Sequence, residues 1–502
     1  MFKHTVVTLF KSFSKEEVDR FDKFLNSPYF NRSKKISKLY EEIVRFYPLF
    51  DDKDLTKQNL CIRTSQSGSF NESTLRDSLS VLLKYAQKFL VIEKMELHKD
   101  EALNYLLSEL MYRNQEKLFS KVFMEAGTEL SRKPKEDSGY YYNSYLRGII
   151  LFNFETMYDK VLHKNEAINK FNNLTNISVN LFKFFLIEII SLVLNQITLA
   201  NKFNLEYKTS YLYLTFSKLN INNLLNTMKG KTDSNLVNIY EALLKMYISF
   251  DNDSFYANYK SLLTEYFDNL STDEKSFHLH CSINYCIIKK KNYSNDDYEK
   301  ELFGLYELML KERYFEDNKT KYITIDLYRD ILLLGLSMKK FRWVEEFIAK
   351  YNRDLPPGEQ ENILNYSYTQ FYFSVGDYYN ALEYYNKIIV NNFVYKYDIK
   401  NLVLKLYYEV KYYEEALDEI HSYKEFLRNN QLVTKERKER LGNFLWFLEK
   451  LLYLEIEYNG MDCNYLIRKL TNKNNVSFKK WLLEKFHLLT EKHTGKKQIK
   501  AK

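Results

Sequence analysis

Glycine and proline are scarce, 12 and 5 in 502 residues. Sheet-rich folds use many of both, because hairpin turns need positive φ or a pre-set φ. Their shortage excludes a turn-dense β architecture and leaves long helices joined by short polar turns. Cysteine is scarcer still: four residues, at positions 61, 281, 286 and 463. That spacing excludes a disulfide framework and points to reduced thiols in a cytoplasmic setting. A dominant charge sign is also missing. The 74 basic and 66 acidic residues leave +8, a dilute excess that lacks a nucleic-acid signature. The signs interleave, as in Lys435-Glu436-Arg437-Lys438, the pattern of a solvated helix face. No leader peptide is expected, since the apolar run 5–10 stops at Lys11 without a small-residue cleavage site. The most apolar stretch, 181–200, carries Lys183, Glu188 and Asn195, each costly at a bilayer centre. A buried core helix, with no membrane insertion, is the expectation there.

What the chain does have is aromatic bulk, 44 Tyr and 36 Phe. Neither is a strong helix former, so periodicity must carry the assignment. Ser14-Lys15-Glu16-Glu17 is a capping box ahead of Val18, Phe21, Phe24 and Leu25 on one helical face. A second stripe runs through Ile36, Leu39, Tyr40, Ile43 and Tyr47 to Pro48. Asn71 caps a long stripe of Leu75, Leu79, Leu82, Ala86 and Phe89. These predict an N-terminal helical unit over 1–95. From 96 to 490, amphipathic segments alternate with polar breaks, and no segment shows strand alternation. A basic tail is expected over 491–502.

The clearest internal repeat lies at 361–393. Leu364, Tyr368 and Tyr372 precede Gly376-Asp377-Tyr378, then Ala381, Leu382, Tyr385 and Ile388. A second copy places Tyr407, Tyr412, Ala416 and Ile420 in the same frame, with Lys411 at the glycine position. Ala416 follows Ala381 by 35 positions, near the roughly 34-residue period of such repeats. A weaker upstream copy has Val344 where Ala is usual and Gly335 where Tyr is usual. These segments resemble the tetratricopeptide repeat. The block from Leu9 through Asn31 resembles the start of a group of bacterial helical-repeat proteins of uncharacterised activity. The resemblance implies an all-α fold: a right-handed α-solenoid of helical hairpins, TPR-like, preceded by the small N-terminal unit. It also implies that the first helix of each hairpin lines a concave face. That face would present Tyr366, Gln370, Phe373, Asn401, Lys405 and Tyr408 to a peptide or helix of another protein.

Motifs for chemistry fail on spacing. His278, His280, Cys281 and Cys286 form the one metal-like cluster. On a helix His280 faces away from His278 and Cys281, so converging zinc ligands are not expected. Gly230-Lys231-Thr232 lacks the earlier glycine of a phosphate loop, with Leu225 in its place. Asp251-Asn252-Asp253 lacks the calcium-loop Gly and Glu, with Tyr256 and Leu262 in those places. No cofactor, metal or catalytic residue is expected. The leading expectation is a non-catalytic protein–protein scaffold. One alternative is a DNA-binding helix-turn-helix within 55–95, although Glu72 and Asp77 would oppose phosphate. A second is an enzyme whose site comes from residues distant in sequence.

Overall fold

The computed structural model describes residues 4–64, 71–132, 137–158, 164–203, 205–219, 223, 235–293, 296–316, 321–389, 393–430 and 433–499. Among the described residues there are helices and turns and no strand. The fold is all-α, as periodicity predicts. Two compact units divide the chain: residues 1–134 with 139–181, and residues 135–138 with 182–502.

The first unit begins with α1 (Thr5–Phe10), α2 (Lys15–Leu25), α3 (Lys34–Val44), α4 (Lys57–Thr64) and α5 (Glu72–Leu97). The capping box forms as its residues dictate: Glu17 N–H donates to Ser14 Oγ at 3.2 Å, and Ser14 N–H to Glu17 Oε2 at 2.7 Å. Asn71 Oδ1 accepts from Thr74 N–H at 3.0 Å and starts α5. The other four helices wrap α5, burying Leu75, Leu79, Leu82, Ala86 and Phe89 against Phe10, Phe21 and Tyr40. Phe21 meets Tyr40 edge-on at 5.0 Å between ring centroids. Then come α6 (Lys99–Tyr112), α7 (Glu116–Arg132), α8 (Ser138–Tyr158) and α9 (Lys164–Phe203), whose residues from Phe182 on belong to the second unit. Leu107, Phe119 and Phe154 make a separate small core, with Phe119 stacked on Phe154 at 3.7 Å.

The expectation of a buried core helix at 181–200 needs correction. This stretch is the second half of α9, and it is buried on one face only. Leu186, Ile187, Ile190, Val193 and Leu194 are buried, while Leu181, Phe182, Phe185, Leu192 and Leu199 are exposed. Its apolar residues occur all round the helix, so one packed side leaves the other uncovered. α9 is also long and apolar enough to cross a membrane, and 33% of its most apolar window is buried.

The rest of the second unit is a run of helical hairpins. After α10 (Tyr211–Lys218) come α11 (Asn235–Ile248), α12 (Asp253–Tyr266), α13 (Thr272–Tyr293), α14 (Asp296–Lys311), α15 (Ile325–Ser337) and α16 (Phe341–Tyr351). They are followed by α17 (Gln360–Val375), α18 (Tyr378–Tyr385), α19 (Phe393–Glu409), α20 (Tyr413–Asn429), α21 (Lys435–Ile456), α22 (Gly460–Asn472) and α23 (Lys479–Ile499). Pairs α11/α12, α13/α14, α17/α18, α19/α20 and α20/α21 pack most closely, α22/α23 and α15/α16 next, and each helix from α14 to α20 also touches its successor in the chain. First helices touch across hairpins, α15 with α17 and α17 with α19. This is the packing of an α-solenoid, in which each hairpin buries its apolar face on its neighbours. Helix α23 runs into the segment expected to be a basic tail.

One turn recurs. At Lys339, Gly376 and Lys411 the chain enters the left-handed region, with φ of 56°, 88° and 65°. In each case the next residue's N–H returns to a carbonyl five positions back: Lys340 to Gly335, Asp377 to Tyr372, Tyr412 to Tyr407, at 2.8–3.0 Å. That is a Schellman stop, which satisfies the last helical carbonyls and reverses the chain. Beyond the turn, Ala381 and Ala416 are fully buried, where the helices of their hairpins come together.

Candidate partner-binding surface

The structure does not display the six residues expected on a concave face. Tyr366, Gln370, Asn401 and Tyr408 are buried, and Phe373 and Lys405 are half-buried. The physical reason is contact with neighbouring helices: α19 meets Tyr366 and Gln370 through Asp398, while α20, α21 and α23 meet Asn401 and Tyr408. Positions that would look into a groove look instead across a closed seam, and aromatic side chains fill it. Asp398 anchors the seam. Arg329 grips it with two donors, Nη2 to Oδ1 at 3.0 Å and Nε to Oδ2. Tyr366 Oη donates to Asp398 Oδ2 at 3.4 Å, and Gln370 Nε2 donates to Tyr366 Oη at 3.2 Å. Burial opposes the Arg329 charge, but the hydrogen bonds and charge of Asp398 hold its pKa above the usual value. Tyr423 Oη donates to Asn401 at 3.1 Å, and Tyr408 Oη to Glu455 at 2.8 Å. Lys405 and Phe373 do meet: Lys405 Nζ lies 4.8 Å from the Phe373 ring and 4.6 Å from the Phe478 ring. Burial pushes the Lys405 pKa down to about 8.

The open surface lies further along the chain. A cleft of about 1690 Å³ runs between α21 and α22 and is closed at one end by α23. Trp446, Lys450, Tyr453 and Glu457 recur at helical spacing on the α21 wall; Asp462, Tyr465 and Lys469 form the α22 wall. Leu454 and Leu466 make the buried floor. Tyr453 and Tyr465 stand 49% and 58% exposed. Asn459 sets the turn: its side chain accepts from the Met461 and Asp462 N–H groups at 3.0 and 3.4 Å and starts α22. At that end Tyr458 stacks on His493 at 4.0 Å. At the other end Lys469 Nζ sits 4.4 Å above the Trp446 ring and 5.5 Å from Tyr465. The sequence reading missed this cleft. Its signal was present: α21 carries a buried stripe of Leu441, Leu445, Leu448 and Leu452 and, on a second face, Trp446 and Tyr453.

The metal-like cluster dissolves into a hydrogen-bonded core. His278 is fully buried, its Nδ1 2.9 Å from Tyr259 Oη and its Nε2 3.5 Å from Glu274. Tyr240 Oη donates to the same carboxylate at 2.8 Å. Burial raises the Cys281 pKa far above the thiol range and pushes Cys286 up to about 12, so both rest as neutral thiols. His280 turns back to the Ser276 carbonyl at 2.8 Å. Among the described residues no three His, Cys, Asp or Glu side chains converge as a metal site. Asp253 pairs with Lys289 at 2.6 Å, which lowers its pKa. The Gly230-Lys231-Thr232 segment and the 65–70 turn of the expected helix-turn-helix lie outside the described residues. Flanking that turn, Glu72 forms an ion pair with Lys57. No protein-family model, no curated protein and no solved structure matches the chain.

Proposed function

We propose that this chain is a non-catalytic interaction scaffold, TPR-like in its hairpins, that receives a peptide or helix of another protein in the cleft between α21 and α22. One observation carries the reading: two half-exposed tyrosines, one on each wall, line an open cleft with an apolar floor and a lysine-capped tryptophan. Tyrosine and tryptophan supply large contact area with few rotatable bonds, the residue type that dominates binding energy at interfaces. The cleft exceeds the roughly 300–1,000 Å³ typical of small-molecule sites, which favours a macromolecular segment. Four buried free thiols accord with a reducing, cytoplasmic setting for this reading.

The test is affinity capture from native extract with the wild-type chain and with Tyr453→Ala/Tyr465→Ala. The expected outcome is loss of a specific co-purifying protein with an unchanged Tm. An identical captured set would overturn the assignment of this cleft.

A further inference from the structure

The charges in the cleft are sorted by end. Lys450 and Lys469 occupy the half that contains Trp446, and Glu457 and Asp462 occupy the half at the α21–α22 turn. Among the described residues, none of the four lies within ion-pair distance of an opposite charge. Some other charges on α21 and α23 are paired: Glu449 with Lys424, Glu455 with Lys492, and Lys485 with Glu409. Between the two ends lie Tyr453 and Tyr465, above Leu454 and Leu466. The cleft is therefore a trough with a basic end, an aromatic middle and an acidic end.

We propose that the occupant is one amphipathic helix of about three turns, acidic in its first turn and basic in its last. It lies parallel to α21 and antiparallel to α22. This rests on the scaffold reading above and names its partner. Length follows from the wall: Trp446 to Glu457 spans about 16 Å at 1.5 Å per residue, matched by about 11 residues of partner. An apolar stripe at i, i+3/i+4 and i+7 places two or three side chains between the tyrosines and on the leucine floor. Direction follows from charge. Acidic side chains stabilise a helix at its N-terminus and basic ones at its C-terminus, because the peptide dipoles leave partial positive charge at the start and negative at the end. A helix charged in that sense is more readily formed than one charged in reverse. To meet opposite charges it must enter with its first turn at Lys450 and Lys469 and its last turn at Glu457 and Asp462. A partner reversed in chain direction would need basic residues in its first turn, against its own dipole.

The test uses the full chain and three synthetic peptides sharing one leucine stripe. The first has Glu in the first turn and Lys in the last, the second has Lys at both ends, and the third is the first with two central prolines. Fluorescence anisotropy at low salt measures each Kd. The first peptide binds the wild type at least about tenfold more tightly than the second, as two ion pairs exchanged for two repulsions allow. The Lys450→Glu/Lys469→Glu variant, with circular dichroism and Tm as folding controls, reverses that preference and binds the second peptide better. The proline peptide binds neither. A nitroxide on the first peptide's N-terminus quenches the tryptophan fluorescence of a Trp343→Phe/Trp481→Phe chain more than one on its C-terminus.

Equal binding of the first two peptides, or no reversal in the variant, overturns the proposed occupant. If the tyrosine variant still loses its co-purifying protein, the scaffold reading survives that failure. Binding of the proline peptide as tightly as the first would seat an extended segment and overturn the helix. A concentration-dependent dimer dissociated by Tyr453→Ala/Tyr465→Ala would seat a second copy of this chain and overturn it also.

Discussion

At the scale of single residues, backbone and charge are held in conformations that a substitution can relieve. Lys339 and Lys411 occupy the left-handed region at the recurring turn, where Gly376 sits in the equivalent copy. A side chain there costs about 1–2 kcal/mol of steric strain, partly offset because glycine loses more entropy on folding. Lys339→Gly and Lys411→Gly are each expected to stabilise by about 0.5–1 kcal/mol, and Gly376→Ala to destabilise by about 1 kcal/mol, in urea unfolding. Lys405 is the second case. Its folded pKa of about 8 lies below the roughly 10.4 of an unfolded lysine. Between those values the unfolded chain holds a proton that the folded chain has released, so stability rises with pH across that window. Below pH 8 both states are charged and the full burial penalty applies, offset in part by the two ring faces. Lys405→Met is therefore expected to exceed the wild type by about 1–2 kcal/mol at pH 7. The gap should close as pH rises from 8 towards 10, measured as the difference between the two unfolding curves. A gap that is constant or widens over that range would reject a depressed lysine.

At the scale of elements, helix packing depends on which partner supplies the small residue. In the copy at α17/α18 the small residue is Ala381 on the second helix. In the copy at α15/α16 the roles are exchanged: Gly335 on the first helix faces Val344 on the second. A Cβ at Gly335 would come within 2.7 Å of Val344 Cγ2 and 3.2 Å of the Trp343 ring. Gly335→Ala is expected to cost about 1–3 kcal/mol by overpacking. Val344→Ala should recover part of that cost in a double-mutant cycle; strictly additive losses would mean the two residues do not share the contact. The exchange also explains how far the fold was legible. Gly335 and Val344 read as departures from a repeat pattern, because a one-dimensional motif records residue type at a position and not the complementary pair. Capping boxes, apolar stripes and the Ala381–Ala416 spacing were legible because each is local and periodic. The binding face was not. Tyr366 and Tyr408 are the same residue type whether they line a groove or a seam, and only the approach of neighbouring helices decides: α19 at Tyr366, and α21 and α23 at Tyr408. The cleft beside Tyr453 depends likewise on where α22 and α23 stop covering α21.

At the scale of the second unit, stability should follow the order of the hairpins. Among the described residues, one apolar cluster of this unit is assembled from helices close in sequence and draws only on residues 397–489. Leu448, fully buried in that cluster, touches nothing in α11–α14 through it. In a stack held by nearest-neighbour interfaces, a local loss spreads only as far as the coupling between hairpins exceeds the cost of a boundary. Leu448→Ala should cost about 2–5 kcal/mol locally. Native-state hydrogen exchange is then expected to show reduced amide protection throughout α19–α23, with α11–α14 unchanged. Uniform loss from α11 to α23 would mean that the unit opens as one cooperative block, through interfaces stronger than the hairpins themselves. The distinction bears on binding, because the α21–α22 cleft lies inside the cluster that Leu448 supports. If opening is local, occupation of the cleft should raise protection in α19–α23 alone, since a ligand stabilises the states that retain its site.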